Sequence, residues 1–217
     1  MSESKAIVFI DGNNLYHNLK ASHIKPGTIH LGKLSEYMCE HFKCEHKKSV
    51  YYNSVPSIED GEENYYAHMK FLDDIRHLPK FEVKTRKLQR YSTREKLKIV
   101  HDEVSALGLC KSCEPIVHTH WEDYLGSITA KEKGVDVQIV VDMIRSALID
   151  ADCDVCILVS GDADFIPGMD LIKQKGKKVL SACLAKGYSY DLRQKHGWFI
   201  LDKKKLIEHC TKKPKIF

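Results

Sequence analysis

Apolar runs and amphipathic segments alternate along most of this chain. Residues 6–10 (AIVFI) form an apolar run that ends at a turn-like Asp-Gly pair, which is typical of a strand buried on both faces. The same reasoning predicts strands over 6–10, 49–55, 81–88, 155–160, 178–184 and 198–201. Apolar residues at helical spacing and helix-ending Pro or Gly residues predict helices over 31–43, 62–78, 135–150, about 165–176 and 189–196.

Strands that alternate with helices at this spacing indicate βαβ units. We therefore expect an α/β fold with a central, mainly parallel sheet that is covered by helices on both faces. Sheets of this kind bind ligands outside the carboxyl ends of their strands, where the strand order reverses. Residues 91–133 interrupt the alternation, and we interpret them as an insertion into a single domain that spans residues 1–217.

The composition is that of an ordinary globular protein, with 43% hydrophobic and 29% charged residues. A length of 217 residues suits one well-buried domain and is too short for two large ones. No apolar run approaches the roughly 18 residues of a membrane span, and the polar N-terminus does not resemble a signal peptide. We therefore expect no membrane association and a cytoplasmic protein whose eight cysteines are mostly reduced. The net charge of +4 is mild.

Acidic residues stand where two of the predicted strands end. Asp11 directly follows the first strand, and Asp162 and Asp164 follow the strand over 155–160. The carboxyl ends of parallel strands lie on one edge of the sheet, so these three side chains can converge there.

A fourth acid is expected at the same edge. Asp136 lies in the first turn of the helix over 135–150, on the apolar face that should pack on the sheet. Asp142 is about 240° further around this helix and roughly 9 Å along it. We therefore expect Asp136 to join the other acids and Asp142 to lie elsewhere.

Each acid also has a structural explanation. Asp164 could cap the helix that follows it, Asp11 could belong to a plain turn, and Asp136 could complement a helix dipole. Three or four carboxylates in one cleft, however, repel each other unless a cation compensates their charge. Hard oxygen ligands favour Mg²⁺ or Mn²⁺, and such ions serve the cleavage of phosphodiesters. Because all these acids are predicted at one edge, we favour a metal site.

Four motifs follow one another along the chain: VFIDGNNL (8–15), KGVDVQIVVDM (133–143), ILVSGDADFIP (157–167) and GKKV (176–179). In combination they resemble the NYN domains of the PIN-like nuclease superfamily, particularly the LabA-like branch. The resemblance implies a PIN-like, Rossmann-like α/β/α sandwich and a metal-dependent ribonuclease. The insertion over 91–133 is longer than the basic LabA-like pattern, which leaves the choice of substrate open.

The resemblance also implies roles for single residues. Asn14 would orient a ligand or a water molecule, Ser160 would support the site, and Lys133 would contact phosphate. The implied catalytic and metal-binding acids are Asp11, Asp136, Asp162 and Asp164.

A basic segment over 84–98 carries seven Lys or Arg residues and one Glu. It should lie at the margin of the active edge, where it can contact an RNA backbone and stack an aromatic ring on a base. A solvated strand and helix face explains the same pattern equally well. The RNA-binding candidates are Lys84, Arg86, Lys87, Arg90, Tyr91 and Arg94.

Two cysteine pairs remain. The pair Cys110-x-x-Cys113 is followed by two histidines, but C-x₂-C-x₄-H-x-H is not a standard zinc spacing. A structural Zn²⁺ is one interpretation, and reduced surface or packing residues are the other. We expect Cys153 and Cys156, which flank the start of a strand, to be core residues that point to opposite faces. The candidate zinc ligands are Cys110, Cys113, His118 and His120.

We therefore predict a Mg²⁺- or Mn²⁺-dependent ribonuclease whose partner is single-stranded or structured RNA. The alternative is an RNA-binding or regulatory module of the same fold with little or no catalysis. A phosphatase of the haloacid dehalogenase type is disfavoured, because its D-x-D motif after the first strand reads Asp11-Gly12-Asn13 in this chain. The sequence leaves open which RNA is cut, whether cleavage is internal or from an end, and whether the chain forms a homo-oligomer.

Overall fold

The computed structural model describes residues 4–58, 61–90, 93–126, 130–131 and 134–212. The strands in these ranges are β1 (Lys5–Asp11), β2 (Glu45–Val55), β3 (Phe81–Lys87), β4 (Gln89–Arg90), β5 (Ala130–Lys131), β6 (Val155–Val159), β7 (Lys178–Cys183) and β8 (Gly197–Ile200). Six of them form one sheet in the order β3-β2-β1-β6-β7-β8, and each neighbouring pair is parallel. The predicted α/β fold with a parallel central sheet is confirmed.

Helices cover both faces of this sheet. They are α1 (Gly12–Ala21), α2 (Leu31–Phe42), α3 (Glu62–Arg76), α4 (Thr93–Ala106), α5 (Glu114–Gly126), α6 (Val135–Ile144), α7 (Ile166–Gln174), α8 (Tyr190–Lys195) and α9 (Lys203–Cys210). A π-helical turn over Arg145–Ile149 extends α6. No helix in the described ranges is both long enough and apolar enough to cross a membrane.

The side chains of β1 alternate between two cores. Ala6, Val8 and Ile10 pack with α1, α2, α3 and α9 on one face of the sheet. Ile7 and Phe9 pack with α6, α7 and α8 on the other face. Both sets are fully buried, and each large apolar side chain contributes about 1.5–3 kcal/mol through the hydrophobic effect. This two-sided burial explains why β1 reads as a continuous apolar run.

The predicted insertion has regular structure of its own. α4 and α5 pack on each other around Val100 and Val104, a small cluster separate from the two cores. β4 and β5 form a separate antiparallel pair, with Arg90 opposite Ala130. Periodicity does not predict these helices, because Val100 and Val104 are the only buried residues among the described side chains of α4.

Three local expectations need correction. The turn predicted after Asp11 is the start of α1, which follows β1 without a linker. β2 begins at Glu45 rather than residue 49, because the polar residues at its start pair with the first residues of β1. Cys153 and Cys156 are buried as expected but do not face opposite ways: their Sγ atoms lie 3.7 Å apart. Cys153 precedes β6, so the alternation of a strand does not apply to it.

Candidate active site

The carboxyl ends of β1 and β6 meet where the strand order reverses. Ile10 pairs with Val159, so the residues that follow them, Asp11 and Ser160, are neighbours. The Ser160 hydroxyl donates a hydrogen bond of 3.1 Å to Oδ2 of Asp11. Both side chains are buried, with 4% of Asp11 and 1% of Ser160 exposed. One carboxylate is therefore held firmly at the edge where parallel sheets bind ligands.

Asp11 also caps α1. Its Oδ1 accepts a hydrogen bond of 3.0 Å from the backbone N–H of Asn14. The Oδ1 of Asn14 accepts bonds from Nδ2 of Asn18 at 2.7 Å and from the backbone N–H of Gly161 at 3.2 Å. These bonds tie the first turn of α1 to the loop after β6 and fix the orientation of the Asn14 side chain.

The loop after β6 presents two exposed aspartates. Asp162 caps a 3₁₀ turn over Ala163–Phe165, and its Oδ1 accepts the backbone N–H of Asp164 at 3.0 Å. The backbone N–H of Asp162 donates to the Ser160 hydroxyl at 3.3 Å. The alternative in which Asp164 is the cap is wrong, because the chain enters α7 through this 3₁₀ turn and the cap moves two residues earlier.

Asp136 reaches the same place from the first turn of α6, where it is half-buried. Burial raises the pKa of Asp136, and the negative charges of Asp162 and Asp164 raise it further. Asp11, Asp136 and Asp162 line one cavity of about 320 Å³. Asp164 acts on this cavity through its charge. The four predicted acids thus share one region of the sheet edge, and three of them line the same cavity.

The chemistry of this cavity suits a hard cation, because its lining combines three carboxylates with the amides of Asn13, Asn14 and Asn18. Among the described residues, however, no three His, Cys, Asp or Glu side chains are grouped closely enough to hold a metal ion by themselves. Mutual repulsion is one physical reason for carboxylates to stand apart. A divalent cation here would need further oxygen ligands from water or phosphate, which is how Mg²⁺ is commonly bound.

Asp142 has a different environment from Asp136 on the same helix. It is buried, and it accepts hydrogen bonds of 2.9 Å from the Tyr52 hydroxyl, 2.9 Å from Nζ of Lys84 and 3.1 Å from Nε2 of Gln138. Its carboxylate links α6 to β2 and β3. Asp142 therefore serves packing between the helix and the sheet.

The described part of the predicted RNA-binding set lies on the other side of α6 from the acidic cavity. Lys84 forms an ion pair with Asp142, while Arg86 is exposed and donates to Oε1 of Gln138 at 2.5 Å. Lys84 and Arg86 line a second cavity of about 410 Å³ that Val135, the neighbour of Asp136, also lines. Lys87 is exposed at the end of β3. Outside the described residues lie Tyr91, Lys133 and the side chains of Arg90 and Arg94.

The predicted zinc set is not assembled. Cys110 and Cys113 are exposed free thiols in the turn before α5. His118 and His120 are two residues apart on α5, about 200° around the helix, so both cannot face this turn. The ring of His118 instead lies 6.3 Å from that of His101, measured between centroids. Within the ranges that the structure describes, no third ligand joins the two thiols in a metal-binding group.

Sequence reasoning missed three polar side chains that line the acidic cavity, those of Asn13, His17 and Asn18. No helix is predicted over residues 12–21, where the structure has α1, so the shared helix face of these residues is not apparent. Residues 14 and 18 are one helical turn apart, and residues 13 and 17 likewise, so each pair projects to the same side of α1. The polar spacing N-N-x-x-H-N that follows Asp11-Gly12 is the signal that could have indicated this helix face.

Comparison with known proteins places the chain in a family. No curated protein matches the sequence significantly. A crystal structure of a protein of unknown function from Vibrio parahaemolyticus matches with a TM-score of 0.56 and 19% identity, covering 93% of this chain and 94% of that one. At this identity the likeness supports the fold alone. The family model of the NYN domain matches residues 5–201. The chain therefore belongs to the NYN domain family, a nuclease-like family of the PIN-like superfamily.

Proposed function

We propose that this protein is a Mg²⁺- or Mn²⁺-dependent ribonuclease that hydrolyses phosphodiester bonds of RNA. The observation that carries the proposal is the convergence of Asp11, Asp136 and Asp162 on one cavity at the strand-order reversal. The raised pKa of Asp136, caused by burial and then by Asp162 and Asp164, is what a site built for a cation should have. Membership of a nuclease-like family supports the same conclusion. We also propose that the chain belongs to the LabA-like branch.

The proposed ligands are carboxylates from three separate parts of the chain. A bound Mg²⁺ or Mn²⁺ would activate a water molecule and stabilise the negative charge that develops on the phosphate. Asp11 is the fixed member, because Ser160 and the backbone of Asn14 hold both of its oxygens. Asp136 and Asp162 complete the set, and Asp164 adds negative charge beside it. Ser160 and Asn14 are positioning residues, and we propose a phosphate contact for Lys133.

The test is cleavage of a fluorescent single-stranded RNA by the purified protein and by Asp162→Asn. We expect cleavage in Mg²⁺ or Mn²⁺, none in excess chelator, and a loss of several orders of magnitude in Asp162→Asn. Thermal stability in chelator should stay the same or rise slightly, because Asn caps a turn nearly as well as Asp and the substitution relieves repulsion.

The matched control is Asp202→Asn. Asp202 is also the cap of a helix, α9, and accepts the backbone N–H of Lys205 at 3.1 Å, but it lies outside the acidic cavity. This variant should cut RNA at the parental rate. Full activity of the parental protein in chelator, or equal rates for the two variants, would refute the proposed metal role.

A second candidate is an RNA-binding or regulatory module with little or no catalysis. It is favoured by one observation: no three metal-binding side chains are closely grouped among the described residues. RNA binding without cleavage in either metal would decide for this alternative.

A further inference from the structure

A third cavity, larger than the other two, adjoins the acidic one. Its volume is about 620 Å³, and it lies among α1, β2 and α3. Aromatic rings of Tyr16, Tyr51 and Phe71 line it, together with apolar side chains of α1. The amides of Asn13, Asn53 and Asn64 also line it, so flat apolar surfaces alternate with groups that both donate and accept hydrogen bonds.

One polar atom in a residue that lines this cavity lacks a partner. Nε2 of His68 is buried and makes no hydrogen bond within the described part of the chain. Burial lowers the pKa of His68, so its ring is neutral at pH 7. Buried polar groups are nearly always satisfied in folded proteins, so an unsatisfied ring nitrogen beside a cavity is consistent with a ligand that has its own polar edge.

The two cavities share a wall. Asn13 and His17 line both of them. Gly12, the residue next to Asp11, lines the larger cavity and lies against Tyr51: a Cβ on Gly12 would come within 2.4 Å of the Tyr51 ring. The larger cavity therefore begins one residue from Asp11. A phosphate of an RNA strand at the acidic site would place an adjacent base within reach of this cavity.

We propose that this larger cavity is a nucleobase pocket, which takes up one unpaired base of the RNA whose phosphate lies at the acidic site. Unpaired bases are recognised by stacking on aromatic side chains and by hydrogen bonds to their polar edges, and this cavity supplies both. A base inside a duplex cannot enter it without unpairing. The pocket therefore makes the protein selective for single-stranded RNA. This inference rests on the proposed function, because it assigns the substrate class of the same site.

The test measures binding rather than cleavage, with a fluorescent single-stranded RNA and its duplex in excess chelator. Tyr16→Ala removes an aromatic wall whose residue is 45% exposed, so the fold should tolerate the change. We expect it to weaken binding of the single strand about ten-fold, the effect of losing one stacking partner, and to leave binding of the duplex unchanged. Asn64→Ala should also weaken binding of the single strand, because it removes an amide from the cavity wall, and the melting temperature of the free protein should stay unchanged, because Asn64 is exposed.

Tyr66→Ala is the control, since Tyr66 is an exposed tyrosine of α3 that does not line the cavity. It should bind both RNAs as the parental protein does. Unchanged affinity of both Tyr16→Ala and Asn64→Ala for the single strand, or an equal loss for the duplex, would overturn the pocket. Absence of single-strand binding by the parental protein would overturn it as well. Selective loss in a protein that never cuts RNA would uphold the pocket and refute the proposed catalysis instead.

Discussion

At the acidic cavity, the surroundings of one carboxylate disfavour its negative charge, although we propose that this charge binds a cation. This carboxylate is that of Asp136, because burial and two neighbouring carboxylates raise its pKa above the ordinary value of 3.8. Protonation of Asp136 therefore favours the folded state. Its contribution to stability is fully present below the unfolded-state pKa, and it is lost as the pH rises through the folded-state pKa.

Asp136→Asn should consequently stabilise the metal-free protein at neutral pH. The amide carries no charge to be repelled, so we expect a higher melting temperature than the parental protein in chelator at pH 7. The difference should disappear at a pH below the ordinary carboxyl range, where Asp136 is protonated in both states. Thermal unfolding of the two proteins, followed by circular dichroism across this pH range, provides the measurement.

The same substitution should abolish cleavage at every pH, since it removes a proposed metal ligand. A variant that is less stable at pH 7 yet still cuts RNA would show that Asp136 mainly complements the dipole of α6.

At the scale of elements, α6 carries two acids in different environments. Asp136 in its first turn lines the acidic cavity, while Asp142 is buried and bonded to Tyr52 of β2 and Lys84 of β3. The carboxylate of Asp142 thus bonds the helix to two strands, and the carboxylate of Asp136 lies at the carboxyl ends of the strands. Its phase on the sheet follows from Ile139 and Met143, which are buried in the core.

Asp142→Asn should therefore reduce the stability of the protein much more than the rate of RNA cleavage. The amide oxygen can still accept from both Tyr52 and Lys84, which share Oδ2, but the ion pair with Lys84 is lost and the amide NH₂ group faces Nε2 of Gln138. We therefore expect a loss of about 1–3 kcal/mol in the free energy of unfolding. Urea denaturation measures this loss. Cleavage per folded molecule should remain close to the parental rate, in contrast to Asp136→Asn. Similar losses of activity in the two variants, both folded, would show that the face assigned to Asp142 is wrong.

At the scale of the whole molecule, the helices α4 and α5 are an appendage to the sheet. Their small cluster around Val100 and Val104 is separate from the two cores. The antiparallel strands β4 and β5 precede and follow the two helices, and Arg90 lies opposite Ala130, so the two ends of the segment are adjacent.

Replacing residues 91–129 by Asn-Gly should close the ladder with a two-residue hairpin turn. We expect one cooperative thermal transition with a melting temperature within about 4 °C of the parental protein, as for a stability change near 1 kcal/mol. Cleavage of a generic single strand should persist, because the acids lie on β1, α6 and the loop after β6. Loss of the cooperative transition would show instead that the appendage is part of the folding unit.

Much of this architecture was readable from the chain alone. Strands buried on both faces appear as uninterrupted apolar runs, so β1 and β6 were predictable. Acids that directly follow such runs must lie at the carboxyl edge of a parallel sheet, so the shared location of Asp11 and Asp162 was predictable too. The position of Asp136 followed from helical phase. These are local regularities, in which a residue's environment depends on its near neighbours in sequence.

Other features depend on residues far apart in the chain, and only the tertiary structure decided them. The order of the strands brings Ser160 onto Asp11, 149 positions away. Tyr52 and Lys84 come from two different strands to enclose Asp142, which makes that acid structural. The chain enters α7 through a 3₁₀ turn, so the capping residue is Asp162. His118 and His120 point in different directions because both lie on the helix α5. The large cavity exists only because α1, β2 and α3 leave space between them. Packing between distant segments sets such contacts, and no pattern along the sequence encodes them.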